Sequence, residues 1–405
     1  MIPCDAGPIR QSPVGQAPVR QAPVRRPMLS ISAVILSSFG VGLSYGIGYP
    51  LVSLNFEVWG AAPWLTGLAG SVPALAIFLL LPVFPRLAGR LGAVRAIVIG
   101  CTVEILCFIA MALLPGVVPW LVLRFLMGAG IALPWLVGET WINTVTTDAR
   151  RGRMIALYSM AVFGGFATGP ILLEAVGVTG WAPFLLGIGG AVLSVVPILA
   201  AARLAPALPQ HPETSVFGAI RLAPAAMAGA VLGGLLEMSH FSLLPNQLIQ
   251  AGIGENQALR LLSTLILGGI MLQFAIGWLA DRLDRRRLLV ALALVVATVI
   301  ATLPAATAHP ALLGPVVFLA GGLLVGFYTL SLTVIGDQVR PQDLAVANAA
   351  FLIMYQAGAM IGPAVAGAAM SVWPDHGFVA AMTGGAVAGA IAIARLGRRH
   401  PVLRR

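Results

Sequence analysis

Twelve apolar stretches, each long enough to cross a lipid bilayer, decide what this chain can fold into. A hydrocarbon core takes about 20 residues of helix. The stretches fall at roughly 29–54, 63–85, 93–115, 118–141, 153–177 and 181–203, then at 219–244, 257–280, 287–308, 311–335, 344–371 and 376–395. Inside hydrocarbon no water satisfies a backbone N–H or C=O, so only helices and closed barrels can span it. A barrel strand needs only about 9–11 residues, so runs of this length read as helices. With 59% hydrophobic and 9% charged residues, the chain is far more apolar than the roughly 45–50% of a soluble domain. The expectation is an all-α polytopic membrane protein with twelve transmembrane helices.

A short pattern is written twice. Pro85-Arg86-Leu87-Ala88-Gly89-Arg90-Leu91-Gly92-Ala93-Val94-Arg95 returns in degenerate form as Gly277-Trp278-Leu279-Ala280-Asp281-Arg282-Leu283-Asp284-Arg285-Arg286-Arg287, roughly 190 positions later. Gly165-x-x-x-Gly169-Pro170 returns as Gly358-x-x-x-Gly362-Pro363 at nearly the same offset. Two unrelated patterns sharing one offset point to an internal duplication. Two similar membrane halves are a common construction of secondary transporters. The chain therefore divides into a tail at 1–27, a six-helix bundle at 28–203, a linker at 204–218, a second six-helix bundle at 219–396 and a second tail at 397–405.

All 24 basic residues are arginine, and they gather at alternate ends of the spans. Arginine-rich loops stay cytoplasmic, which puts both termini and the central linker inside; Arg124 and Arg260 break the pattern. The net charge of +10 follows from this topology and calls for no nucleic-acid partner. The first 27 residues carry a Pro-rich five-residue repeat that cannot bury a core, so a disordered basic tail is expected there. Pro206, Pro209 and Pro212 mark the linker. Cys4, Cys101 and Cys107 show neither a disulfide framework nor a zinc pattern. The absence of lysine suits a GC-rich bacterial genome, hence a multi-pass protein of a bacterial inner (plasma) membrane.

The doubled motif after the second and eighth spans, the run Arg124-x-x-x-Gly128-x-Gly130 in the fourth and Gly165-x-x-x-Gly169-Pro170 in the fifth resemble the major facilitator superfamily. Glu139-x-Trp141, Arg151-Gly152-Arg153, Leu244-Pro245 and Phe327-Tyr328-Thr329 are similar to its YcaD-like branch of bacterial permeases. The resemblance covers about 28–396. It implies two pseudo-symmetric six-helix bundles that rock between inward-open and outward-open states around a substrate site near the midplane. The chain departs from the family pattern at Pro85, Gly89 and Asp284. Of the two motif carboxylates, Asp281 alone is in place.

A cytoplasmic gate is expected around Asp281 and Arg282. The carboxylate can face the positive N-terminus of the fifth span with Arg151 and Arg153. A mirror cluster pairs Arg90 and Arg95 with Asp343 or Asp337, and Glu139 joins the gate or ends its helix in contact with water. The alternative is that these charges only set topology. Gly165, Gly169, Pro170, Gly358, Gly362 and Pro363 read as packing positions at the bundle interface, since small residues four apart let helices approach closely.

Ionisable residues inside the spans are the candidates for function, because burying one costs about 2.5–3.5 kcal/mol even on insertion scales. Arg124 can clamp an anionic group or pair internally with Glu104 or Glu237. Glu237 is the first choice for a proton carrier, since an apolar surrounding favours a neutral carboxyl. His240, one turn away, can relay the proton. Glu237-x-x-His240 is half of a di-metal pattern whose second half does not exist in this sequence, so no metal and no cofactor are expected. The family resemblance places the cavity walls on the first, fourth, seventh, tenth and eleventh spans. There Tyr45, Tyr328, Tyr355 and Gln356 are the substrate candidates, with Ser44, Tyr49 and Trp135 behind them.

These features predict a proton-coupled secondary transporter that exports a small organic solute and works as a monomer. The rival is a non-transporting sensor or a membrane-embedded enzyme. An enzyme needs a convergent nucleophile, base or metal set, and no HExxH, GxSxG or GxxxxGK[ST] motif is present.

Overall fold

In the computed structural model, described for residues 27–146, 150–206, 216–340 and 343–399, every regular element is helical. The leading tail, the middle of the linker and the end of the chain fall outside these residues. The first half comprises α1 (Pro27–Val58), α2 (Pro63–Leu80), α3 (Phe84–Leu91), α4 (Ala93–Leu113), α5 (Val117–Val145), α6 (Arg151–Val176) and α7 (Ala182–Ala200). The second comprises α8 (Val216–Ala219), α9 (Pro224–Gln250), α10 (Glu255–Ala280), α11 (Arg285–Ala301), α12 (Leu303–Thr307), α13 (Pro310–Gln338), α14 (Leu344–Val372) and α15 (Gly377–Arg399). Among the described residues, 11 helices are long and apolar enough to cross a membrane. The remaining expected span is α11, at 17 residues the shortest of the set.

Two expected spans are broken, each for a local reason. The run at 63–85 stops at Leu80, and Pro82 and Pro85, which lack an N–H, let the chain restart as the separate helix α3. Gly92 then turns the backbone at φ 78°, where a side chain would be strained, before α4 begins. The run at 287–308 divides at Thr302, whose hydroxyl donates to the carbonyl of Val299 (2.7 Å), and Pro304 opens α12. Asp284, the departure from the family motif, has local work: its carboxylate accepts from the backbone N–H of Arg287 (2.8 Å) and caps α11.

Equivalent helices pack in equivalent ways in the two halves. α1 lies against α6 and α7 as α9 lies against α14 and α15, and α2 meets α5 as α10 meets α13. This is the structural expression of the sequence duplication. Large apolar side chains such as Val118, Met271 and Phe274 point outward and are well exposed, as befits a surface whose solvent is lipid. Trp59, Trp64, Trp181 and Trp373 are exposed at helix ends opposite the arginine-rich loops, where indole suits the headgroup layer.

The repeated glycines work inside the halves, not between them. A Cβ at Gly165 would strike the carbonyl of Phe39 on α1, and one at Gly169 would strike Gly46 and Ile47 of the same helix. Gly358 and Gly362 bring α14 onto Val231 and Leu235 of α9 in the same manner. Pro363 reaches the other half, where Gly67 and Gly70 of α2 lie against it. In lipid no hydrophobic effect pulls helices together, so close backbone contact of this kind supplies the adhesion.

Gly165→Leu or Gly358→Leu should therefore lower thermal stability in detergent by the equivalent of about 1–3 kcal/mol, the usual cost of overpacking. Gly277→Ala, where a Cβ meets open space, should leave the melting temperature within the scatter of surface substitutions. Equal effects in all three variants would contradict the packing assignment.

Candidate functional site

The halves meet along α2 with α14, α6 with α10 and α1 with α9. Near mid-helix the seam is aromatic. Phe166 of α6 packs on Phe241 of α9 with ring centroids 4.9 Å apart, and Tyr45 and Tyr49 of α1 pack edge-on and stacked against Phe166. The Tyr49 hydroxyl lies 3.8 Å from the sulfur of Met238 across the seam.

Beyond this layer, toward the arginine-poor end, polar contacts tie the halves together. Asn246 of α9 donates to the carbonyl of Ser53 (3.1 Å) and to the carboxylate of Glu57 (2.8 Å) on α1. The backbone N–H of Trp64 donates to Ser371 (2.9 Å), and Arg260 of α10 donates to Glu174 of α6 through Nε (2.6 Å). That face is shut. At the arginine-rich end the described ion pairs stay within the second half: Arg285 with Asp337 (2.6 Å) and Asp281 (3.6 Å), and Arg340 with Asp343 (3.0 Å).

The expected gate residues are thus apart in this state. Asp281 is exposed and leans on Arg285, Arg282 lies over the Trp278 ring (3.7 Å), and Arg90, Arg95 and Arg153 are exposed with no ion-pair partner among the described residues. The Arg151 side chain lies outside the described residues. Sequence reasoning missed the opposite face, where Glu57, Glu174, Asn246 and Ser371 act. One signal was available: Arg260 broke the charge pattern, and it is the arginine that crosses the seam.

Deep in the first half, Arg124 is 1% exposed and sits behind the aromatic layer. Its guanidinium stacks 4.3 Å over the Tyr49 ring and donates to the Ala69 carbonyl (3.3 Å), leaving Nη2 without a hydrogen-bond partner. Glu104 is equally buried, and one carboxylate oxygen accepts from Ser44 (2.6 Å). Among the described residues Arg124 forms no ion pair with Glu104 or Glu237.

On the arginine-rich side of the layer, Glu237 accepts a hydrogen bond from the Tyr355 hydroxyl (2.7 Å). Tyr355 packs edge-on against Tyr328 at 5.7 Å, and Tyr328 against Phe351 at 4.9 Å. Tyr45, Glu139, Tyr328, Tyr355 and Gln356 are all partly accessible in the interior of the bundle. Glu139 comes from the first half, and Glu237, 3% exposed, from the second. Neither carboxylate has an arginine partner among the described residues. His240 turns away from this group: its Nδ1 lies 2.7 Å from the Leu236 carbonyl and its ring packs edge-on against Phe378 of α15. Two residues three apart on a helix share a face only broadly, and here the neighbouring helices send them to different partners. No cluster of metal-ligating side chains occurs among the described residues.

The sequence profile described as the Major Facilitator Superfamily matches residues 34–363 and 225–405. The chain belongs to this superfamily. Its relatives include the MFS-type transporter YfkF of Bacillus subtilis, 24% identical over 332 residues and covering 80% of this chain and 85% of that one. The MFS-type transporter YcaD of Escherichia coli is 27% identical over 271 residues, 66% of this chain and 69% of that protein. Both relatives carry "uncharacterized" in their names. Among solved structures, the nucleoside transporter NupG overlays with a TM-score of 0.73 at 14% identity, covering 91% of this chain and 98% of that one. A mutant of the peptide transporter POT in complex with sulfate gives the same TM-score at 14% identity, over 91% and 95% of the two chains. These two likenesses are of fold. The major facilitator architecture explains the paired bundles and the seam between them.

Asn246→Ala removes both bonds to α1 at the closed face. In a variant freed of its native cysteines, a cysteine at Ser242 should then be labelled severalfold faster by a membrane-impermeant maleimide added from that face. Unchanged labelling would mean that Asn246 does not hold the face shut.

Proposed function

We propose that this chain is a secondary transporter that moves a small organic solute by alternating access, coupled to protons and running outward across a bacterial inner membrane. The observation that carries the reading is the one-sided closure. Polar and aromatic contacts join the halves from mid-helix to the arginine-poor end, while Asp281, Arg285, Asp337 and Asp343 at the other end pair within one half. With arginine-rich loops on the cytoplasmic side, this is an inward-facing state.

Rocking the halves about the seam exchanges one closure for the other. Opening the outer face breaks Asn246–Glu57 and Arg260–Glu174; closing the inner face brings Asp281 toward Arg153 and Arg90 and Arg95 toward Asp343. Each exposed ion pair is worth little alone. That suits a cycle whose two states must stay within a few kcal/mol of each other. Glu237 is the proton carrier, and its partner Tyr355 holds the carboxyl at the inner side of the aromatic layer. The gradient, not a nucleotide, supplies the energy, since the sequence has no phosphate-binding loop. The largely apolar and aromatic walls favour export of a solute that partitions from the membrane or cytoplasm.

Relatives named as transporters and fold neighbours that carry nucleosides and peptides support the reading.

Asp281→Asn should reduce transport in proteoliposomes at least tenfold while expression and melting temperature stay near wild type; full activity would remove Asp281 from the gate. Glu237→Gln should abolish accumulation driven by an imposed pH gradient yet keep solute exchange at equilibrium. Gradient-driven accumulation intact in that variant would exclude Glu237 as the carrier.

A further inference from the structure

We propose that a cavity at the arginine-poor end of the second half, between α9, α12 and the α14–α15 connection, binds a primary ammonium group carried on a short apolar body. All of its described lining residues belong to the second half. The site therefore lies apart from the seam between the halves and does not rest on the transport reading above.

The cavity measures about 230 Å³, room for about seven or eight waters at ~30 Å³ each. One wall is apolar and buried, made by Leu248, Leu303 and Val379. The other is polar: Gln247 and Gln250 come from the last turn of α9, Thr307 from the end of α12, and Asp375 and His376 from the connection. An apolar wall facing a few polar groups is the usual composition of a small-molecule site. His376 packs edge-on against Trp373, whose exposed indole suits the headgroup level.

The polar wall is rich in acceptors and poor in cations. Gln247 is 5% exposed, and its amide nitrogen donates to the Asp375 carbonyl (3.3 Å), leaving Oε1 without a hydrogen-bond partner. Oε1 of Gln250 has no partner either. Buried acceptors without a donor are costly, and the last torsion of glutamine is broad, so each oxygen can turn to a donor in the cavity. The Thr307 hydroxyl gives its hydrogen to the Pro304 carbonyl (2.7 Å), so only its lone pairs remain on offer. Asp375 is exposed and has no ion-pair partner among the described residues. The 27-residue α9 ends at this cavity, and its last turn holds no basic residue to answer the negative pole of the helix.

A primary ammonium matches this wall, since it brings positive charge and three donors and no acceptor. An anion would meet the Asp375 carboxylate and a helix C-terminus. A bare inorganic cation would leave the apolar wall unused.

The test titrates the full chain in detergent, by thermal shift and calorimetry at matched ionic strength, with cyclohexylammonium, cyclohexanol and cyclohexanecarboxylate. The ammonium should raise the melting temperature saturably, as a ligand of the folded state does, and the neutral and anionic probes should bind at least tenfold more weakly. Asp375→Asn and Gln250→Leu should each weaken the ammonium at least fivefold while the unliganded melting temperature stays near wild type. Asp375→Glu should keep most of the affinity, and Glu237→Gln should leave it unchanged.

Nanodiscs identify the source of the ammonium. If a lipid headgroup fills the site, phosphatidylethanolamine will stabilise the wild type over phosphatidylcholine, whose nitrogen has no N–H, and Asp375→Asn will erase the difference. If the ligand is a free amine, the cyclohexylammonium shift will be the same in both lipids. Equal binding of the neutral or anionic probe, no saturable effect of the ammonium on folded wild type, or full affinity in the Asp375→Asn, Gln250→Leu double variant would each overturn the proposal. So would displacement of the ammonium by equimolar sodium, or loss of its binding in Glu237→Gln. Transport is tested separately by the proteoliposome assays above.

Discussion

Lipid is a solvent that neither completes a backbone hydrogen bond nor drives apolar helices together, and the rest of this structure follows from that constraint. The first condition makes every span a helix. The second means that adhesion must come from close contact, and the chain provides it where Gly165 and Gly169 let α6 sit on α1 and where Gly358 and Gly362 let α14 sit on α9. Each half becomes a stiff unit through backbone-to-backbone packing. The seam between the halves combines the same close packing, where Gly67 and Gly367 bring α2 and α14 together, with the aromatic contact of Phe166 and Phe241 and the polar pairs of the arginine-poor face.

The same solvent governs the polar residues. A charge in hydrocarbon must find a partner, so Arg124 is enclosed by the Tyr49 ring and the Ala69 carbonyl, and Glu104 by Ser44. These groups serve the interior of one half. Glu237 shares a hydrogen bond with Tyr355 on the side of the aromatic layer that faces the open end. Glu237 is 3% exposed and its bond to Tyr355 likewise lies within one half, so all three buried groups find their partners inside their own bundle.

The two arginines that break the charge pattern illustrate how far sequence reasoning reaches. A window of charge and hydropathy identifies Arg124 and Arg260 as exceptions, because topology has no use for them where they stand. It does not distinguish their roles. Arg260 reaches across the seam to Glu174, while Arg124 turns into its own bundle. Similarly, a one-turn spacing suggests that Glu237 and His240 share a partner, yet Tyr355 of α14 engages one and Phe378 of α15 the other. Spacing along one helix fixes an angle; the neighbours decide what lies at that angle.

The sequence by itself determined the helical class, the duplication, the end of the bundle that carries arginine and the small set of interior charges, because these depend on composition and on patterns local to one or two turns. The placement of Pro363 at the seam, the pairing of Glu57 with Asn246, the aromatic layer of Tyr49, Phe166 and Phe241 and the withdrawal of Arg124 were decided by the tertiary structure alone. Each of these joins residues from helices far apart in the chain. A single sequence carries no record of which helix faces give up lipid for one another, and it is that exchange of neighbours that joins the halves at one end of the molecule.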